Sequence, residues 1–294
     1  MKRNRITAAV LAACLALSLA ACGETTTRDP VQAAQEKLQD VKSMESDVVM
    51  DMAFQVPSGT DAAAITLAER MRMEIVTFTD PLKLKAEVAV SLDFTGAGLD
   101  NQEPMMSMTM YAAQEGDAYN MYITDGASWQ SQSVALEDLG QYDAQENLEF
   151  YLDSSESFTQ AGSGDVNGAP ADRYDGVIKG KDMEQVLRAS GALDALDSLN
   201  LSSEMDAEKL KEIYSDLPDL PCSLWIDQKS GYPVRYEMDM TALMNQVLTR
   251  LVGAVDGAAG DAGGLAVEQM RMTMTCSGFN AAEDFEIPAE ARAA

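Results

Sequence analysis

The thiol of Cys22 is the side chain whose type and position point most clearly to chemistry. A positive segment and an apolar run precede it, formed by Lys2, Arg3, Arg5 and residues 6–19. Ala20 and Ala21 then place two small residues directly before the cysteine. This order is typical of a secretory leader, and the run is shorter than the roughly 20 apolar residues that a membrane-spanning helix needs. We therefore interpret residues 1–21 as a signal peptide that is removed.

The four residues from Leu19 to Cys22 resemble the lipobox of bacterial lipoproteins. The resemblance implies that the Cys22 thiol receives a diacylglycerol and that the leader is cut between Ala21 and Cys22. Two acyl chains, at about 0.8 kcal/mol per buried CH2, hold a protein stably on a membrane. The expected location is the extracytoplasmic face of the cell membrane, with the membrane as a partner through the lipid anchor. The alternative is a plain secretory peptide with a cysteine near its cleavage site.

Catalytic chemistry finds little support in the sequence. The chain contains no histidine, which excludes Ser-His-Asp and Cys-His catalysis and removes the commonest zinc ligand. Its carboxylates are abundant but form no catalytic motif. Residues 93–103 and 162–175 are acidic loops, yet neither has the carboxylate spacing of an EF-hand. We expect no enzyme activity, no cofactor and no metal site.

Two cysteines remain in the mature domain once Cys14 has left with the leader and Cys22 carries lipid. These are Cys222 and Cys276. In an oxidising compartment, an even number of remaining cysteines indicates a disulfide. The alternative is a pair of reduced thiols buried in core strands.

Charge and length limit the partners and the domain organisation. Residues 1–21 carry three of the 21 Lys and Arg and none of the 48 Asp and Glu, so the formal charge of the remaining 273 residues is −30. Such an excess argues against nucleic acid and anionic headgroups as partners of the surface. We expect a lipidated tether over residues 22–29 and one domain over residues 30–294. The sequence names no protein partner.

Residue alternation predicts long antiparallel strands joined by short turns. From Leu82 to Phe94 every second residue is apolar, and similar patterns begin at Ser46, Met71 and Met105. Helices are predicted over residues 30–43, 145–152, 180–190, 192–200, 203–215 and 241–255. Further strands are predicted around residues 118–123, 158–162, 171–178, 222–227, 232–240 and 265–279.

The hairpin from Leu224 to Val234 resembles LolA/LppX-like lipoproteins. A strand ending in Asp227 is followed by Ser230-Gly231-Tyr232-Pro233 and a returning strand. The likeness also covers the order of elements after Cys22, and it is greatest to uncharacterised Gram-positive surface lipoproteins of that group. It implies an α+β fold, in which a strongly curved antiparallel β-sheet, a half-barrel, is closed over by helices around an apolar cavity. Known members of the group carry lipids or lipoproteins.

Methionine is frequent on the apolar strand faces, with 19 in the chain. Its unbranched thioether side chain adapts to irregular apolar ligands and also fills cores. Both readings remain open here. The candidate cavity-lining residues are Met50, Met52, Phe54, Met71, Met73, Val88, Val90, Met238, Met272 and Met274.

Together these features predict a non-catalytic surface lipoprotein that binds or carries a lipid or another hydrophobic ligand. The alternative is a structural or interaction lipoprotein of the same fold with a filled core, acting in envelope maintenance, adhesion or sensing.

Overall fold

The structure is a computed structural model, and it describes residues 29–56, 65–94, 98–99, 103–115, 118–135, 144–183, 213, 215–254 and 266–294. The predicted signal peptide, Cys22 and residues 23–28 lie outside the described residues.

In the described ranges, eleven strands form a single antiparallel sheet. They are β1 (Ser43–Val56), β2 (Ile65–Thr79), β3 (Leu82–Asp93), β4 (Met106–Glu115), β5 (Ala118–Thr124), β6 (Trp129–Val134), β7 (Ser155–Val166), β8 (Ala169–Ile178), β9 (Leu220–Asp227), β10 (Pro233–Asp239) and β11 (Ala266–Ser277). Their order across the sheet is β6-β5-β4-β3-β2-β1-β11-β10-β9-β8-β7. The sheet is open, with β6 and β7 at its edges, and the α+β prediction is confirmed.

The first and last strands join two halves of this sheet. Strands β1 to β6 follow one another as a meander, and β7 to β11 form a second series in reverse spatial order. Pairing of β1 with β11 along nearly their full lengths connects the two. Antiparallel neighbours can be joined by short turns, as in the two-residue connections between β2 and β3 and between β7 and β8.

Four α-helices accompany the sheet in the described residues. They are α1 (Pro30–Leu38), α2 (Ala144–Ser154), α3 (Thr241–Ala254) and α4 (Ala289–Arg292). Helix α1 begins where predicted, since Pro30 occupies its first turn and the Asp29 carboxylate accepts a hydrogen bond from the Val31 N–H at 3.0 Å. None of the helices described has the length and apolar character required to cross a membrane.

Helices α1 and α2 cover the sheet on one side. Leu38 of α1 and Leu148 of α2 are fully buried in the same cluster as Leu224 of β9 and Tyr236 of β10. The Gln145 side chain donates a hydrogen bond to the Leu38 carbonyl oxygen at 2.9 Å, which ties α2 to the end of α1. The main hydrophobic core therefore lies between these helices and the sheet.

The β9–β10 hairpin has a structural role that explains its recognisable sequence. The Asp227 carboxylate accepts hydrogen bonds from the Ser230 N–H and hydroxyl, and these bonds lower the pKa of Asp227. Gly231 follows with a φ of +69°, a conformation that favours glycine. Lys37 of α1 donates to the Ser230 carbonyl oxygen, and its Nζ lies 5.6 Å from the centre of the Tyr232 ring. The motif thus fastens α1 to the sheet.

The carboxy-terminal segment forms a second, smaller apolar cluster on the other side of the sheet. Ile287 and Ala291 are buried against Tyr122 of β5. Phe285 packs edge-on against Phe78 of β2, with ring centres 6.0 Å apart. The segment therefore runs from β11 across the strands towards β6.

The structure changes some predicted boundaries. Helix α1 ends at Leu38 instead of continuing to residue 43, because Ser43 already pairs with Phe78 in the sheet. Strand β2 begins at Ile65, well before Met71, since its first half pairs with the end of β1. Of the helices predicted between residues 180 and 215, Gly180–Asp182 forms a 3₁₀ turn. The rest lie outside the described residues, apart from Met183, Ile213 and Ser215.

Candidate functional site

The strand register brings the predicted cavity-lining residues into rows. Met50 of β1 lies opposite Met71 of β2 and opposite Met272 of β11. Val90 of β3 continues the row beyond Met71, and Met238 of β10 continues it beyond Met272. Directly opposed residues in a sheet project to the same side. One row of large apolar side chains therefore crosses five adjacent strands.

A second row runs parallel to the first. Met73 lies opposite Val48 and Val88, and Val48 lies opposite Met274. Met52 and Phe54 follow Met50 along the same side of β1. All the predicted lining residues thus share one side of the sheet, the side covered by α1 and α2, which we call the apolar face.

The depth of burial divides these residues into two groups. Met238, Met272 and Met274 are between 3 and 5% exposed and belong to the main core, together with Leu243 and Val247 of α3. These three methionines fill the core, which is the second of the two roles considered for the methionines. The other group is half-buried and consists of Met50, Met52, Phe54, Met71, Met73, Val88 and Val90. Only this second group presents surface that a ligand could cover.

Exposed apolar residues continue the half-buried group at one end of the sheet. Ile65 begins β2, Phe94 follows β3, and Met105 and Met106 lie at the start of β4. Their exposed fractions are 49, 61, 68 and 54%. Three of them, Ile65, Phe94 and Met106, lie on the apolar face by alternation, at the same end of three adjacent strands, and we call these three the apolar rim. A group of neighbouring exposed apolar side chains indicates a binding surface, whereas scattered single ones do not.

Glu69 also lies within the apolar face, although it is not among the residues predicted from the sequence. This glutamate lies opposite Met52 of β1 and opposite Leu92 of β3, and it is half-buried. Extending the alternation of Met71 and Met73 back by one step would have placed it there. The residue alternation therefore includes Glu69, but the predicted strand began at Met71 and left it out.

The opposite face of the sheet carries paired charges. Arg70 contacts Asp51 at 2.6 Å, and Arg72 contacts Asp47 at 2.8 Å. Asp47 and Arg72 also line a groove of about 410 Å³ that reaches Arg235 of β10. Because these cations already have carboxylate partners, the groove offers a balanced polar surface and no concentrated charge. We call this side the polar face.

The structure does not bring Cys222 and Cys276 together. Cys222 lies opposite Met238, which lies opposite Met272, so β10 separates the two cysteines and Cys276 is displaced four residues along β11. Strands are spaced about 4.8 Å apart, so Cα atoms two strands away are about 10 Å apart, beyond the reach of a disulfide. Both cysteines are free and buried. The predicted disulfide between Cys222 and Cys276 is therefore wrong, and both residues are reduced thiols.

The two thiols are also poor nucleophiles. Burial raises the pKa of Cys222, and it raises the pKa of Cys276 to about 12. Reactive cysteines have lowered pKa values, so these environments oppose nucleophilic chemistry. In the ranges that the structure describes, no three carboxylates or thiols lie close enough together to hold a metal ion.

The acidic loops considered for calcium use their carboxylates locally. Asp93 accepts a hydrogen bond from the Gly98 N–H at 2.7 Å, and Asp165 accepts one from the Gly168 N–H at 2.9 Å. Asp165 closes the β7–β8 turn in this way. Both carboxylates therefore stabilise the backbone of their own loops.

Comparison with known proteins finds similar folds among solved structures. The chain matches the lipoprotein LppX of Mycobacterium tuberculosis with 11% identity and a TM-score of 0.41, over 87% of this chain and 96% of LppX. It matches LprF of Mycobacterium bovis with 13% identity and a TM-score of 0.47, over 89% of this chain and 95% of LprF. No protein-family model and no curated protein matches the chain. The chain is similar in fold to LppX and LprF over most of both lengths.

Proposed function

We propose that this protein is a non-catalytic lipoprotein that binds a lipid or another hydrophobic ligand on its apolar face. The observation that carries the proposal is the half-buried, methionine-rich part of that face, which opens onto the apolar rim. Methionine side chains change rotamer easily and so accommodate flexible acyl chains. Covering about 200 Å² of apolar surface would contribute about 5 kcal/mol before the costs of association.

The anchor would place this surface near its source of ligand. Lipidation of Cys22 leaves the seven residues 23–29 before α1, which span at most about 25 Å when extended. The domain over residues 30–294 would then act close to the extracytoplasmic face of the membrane that holds it. A lipid ligand would need to travel only a short distance through water.

The second candidate function is an interaction lipoprotein. It is favoured by the buried Met238, Met272 and Met274, which fill the core on the apolar side of β10 and β11. In this case the polar face, with its groove beside Arg72 and Arg235, would contact a partner protein. The two candidates differ in whether an apolar probe binds to the apolar face.

Replacing Met71 with asparagine tests the proposal. Every strand that the structure describes lies after residue 42, so residues 23–294 contain all of the described sheet. We expect delipidated protein to bind the neutral apolar dye N-phenyl-1-naphthylamine, and Met71→Asn to weaken binding about tenfold, equivalent to about 1.4 kcal/mol. The reason is that the half-buried Met71 would be replaced by a polar amide. Fluorescence titration measures the effect.

The matched control is Arg72→Asn, the next residue on the same strand but on the polar face. We expect this change to alter dye affinity by less than about twofold, because it leaves the apolar face intact. Equal effects of the two substitutions, or a wild-type protein that does not bind the dye, would contradict the proposed function.

A further inference from the structure

Glu69 is an exception on the apolar face. At the positions of that face in β1–β6 and β9–β11, as the structure describes them, it is the only charged side chain. Its direct neighbours across the strands are Met52 and Leu92, and Met71 follows it on its own strand. A carboxylate in such surroundings loses part of its hydration and gains no partner in exchange.

The bases closest to Glu69 in sequence do not neutralise it. Arg70 and Arg72 project to the polar face, where they pair with Asp51 and Asp47. Glu69 makes no hydrogen bond or ion pair with any of the described residues. Its carboxylate is therefore available to a group brought by a ligand.

The position of Glu69 also suggests how a ligand would be oriented. Along β2 it lies between Ile65 of the apolar rim and the half-buried Met71 and Met73. An amphiphile with its chain over the methionines would bring its head group to Glu69, near the open end of the face. The rim then lies next to the head group, on the side facing away from the core.

We propose that Glu69 selects ligands with a cationic amine head group, the alkyl chain lying along the half-buried part of the apolar face. This inference rests on the proposed function. An ammonium group would form a charge-assisted hydrogen bond with the carboxylate, which compensates for the hydration lost when the chain covers it. A hydroxyl head group can donate a neutral hydrogen bond, while a carboxylate or phosphate head group is repelled. The preferred order is therefore amine, then alcohol, then acid.

Three probes with the same sixteen-carbon chain test this order. Hexadecylamine, hexadecanol and hexadecanoate, each below its aggregation concentration, compete with N-phenyl-1-naphthylamine for delipidated residues 23–294 at about 0.15 M salt, where distant charges are screened. We expect the amine to bind at least about tenfold more tightly than the acid. In Glu69→Gln this ratio should fall to within about threefold, and in Glu69→Met the alcohol should bind at least as well as the amine.

Glu74→Gln is the matched control, because it removes the same charge from the same strand on the polar face, where Glu74 contacts Arg72. The amine-to-acid ratio should stay as in the wild type. If Glu74→Gln reduces the ratio as much as Glu69→Gln does, the preference comes from the net charge and the inference is overturned. If all three probes bind equally to the wild type, the inference fails while the proposed function stands. If none displaces the dye, and the dye itself does not bind, the proposed function fails.

Discussion

Replacing Cys22 with alanine is expected to move the mature protein almost entirely from the membrane fraction to the soluble fraction. The thiol is the only group that the lipobox-like sequence offers for acylation, and the two acyl chains together bury many CH2 groups, each worth about 0.8 kcal/mol. No helix in the part of the chain that the structure describes could replace them as a spanning segment. Fractionation after a salt wash, followed by immunoblotting, measures the change.

An uncut leader could hold the variant on the membrane through its own apolar run. The Cys22→Ala variant is therefore expressed as residues 22–294 behind a secretory leader that is cut whether or not a cysteine follows. Cys14→Ala in the natural sequence is the matched control and should remain on the membrane, because Cys14 leaves with the leader. Retention of the alanine variant after the wash would show that Cys22 does not anchor the protein.

Alkylation of Cys276 should be about a thousandfold slower in the folded protein than in denaturant at pH 8, and alkylation of Cys222 should also be slower. The pKa of Cys276 rises from 9.0 to about 12 on burial, so its reactive thiolate is about a thousandfold rarer. Cys222 has a raised pKa for the same reason. Residues 23–294 lack Cys22, so iodoacetamide uptake followed by mass spectrometry reports these two cysteines alone.

The Cys222→Ser variant isolates the reaction of Cys276. The unsubstituted chain, once denatured, should take up two labels without any reductant. A mass two units lower, with no label taken up in denaturant, would show that the disulfide exists after all. Rapid labelling of the folded chain would contradict the burial of both thiols. Because the folded pKa of Cys276 exceeds the unfolded value, its contribution to stability is complete below about pH 9 and is lost as the pH rises towards 12.

The antiparallel sheet could be predicted because it depends on local alternation. Residues 82–94 alternate so regularly that β3 and its two sides follow from the sequence, and the same pattern places Met50 and Met272 on apolar sides. A strand with one covered face must show this period of two residues. The signal is contained within each strand and needs no knowledge of its neighbours.

The arrangement of the strands could not be predicted in the same way. Alternation shows that Cys222 and Cys276 point to apolar sides, but it does not reveal that β10 lies between their strands. That separation depends on the pairing of β11 with both β1 and β10, which joins residues more than 200 positions apart in the case of β1. The incorrect disulfide prediction arose from this missing information.

The sequence predicts which residues lie on the face of the candidate site but not how deeply each of them is buried. Met71 and Met272 have the same residue type and lie on the same face, yet Met71 is half-buried while Met272 belongs to the core with α3. Met272 is more deeply buried because α3 packs against its strand. The sequences of the two strands do not contain this information. The structure thereby limits the proposed ligand surface to the part of the apolar face formed by β1, β2 and β3.

The most direct test of the central claim is to look for lipid on the protein as cells produce it. Residues 23–294 are expressed in an extracytoplasmic compartment, purified without detergent and measured by native mass spectrometry. The account predicts species heavier than the polypeptide by the mass of a lipid, which disappear after organic extraction and return when lipid is added. A protein found only at its polypeptide mass, which also fails to take up a fluorescent fatty acid or amine, would contradict the claim that the apolar face is a ligand-binding surface.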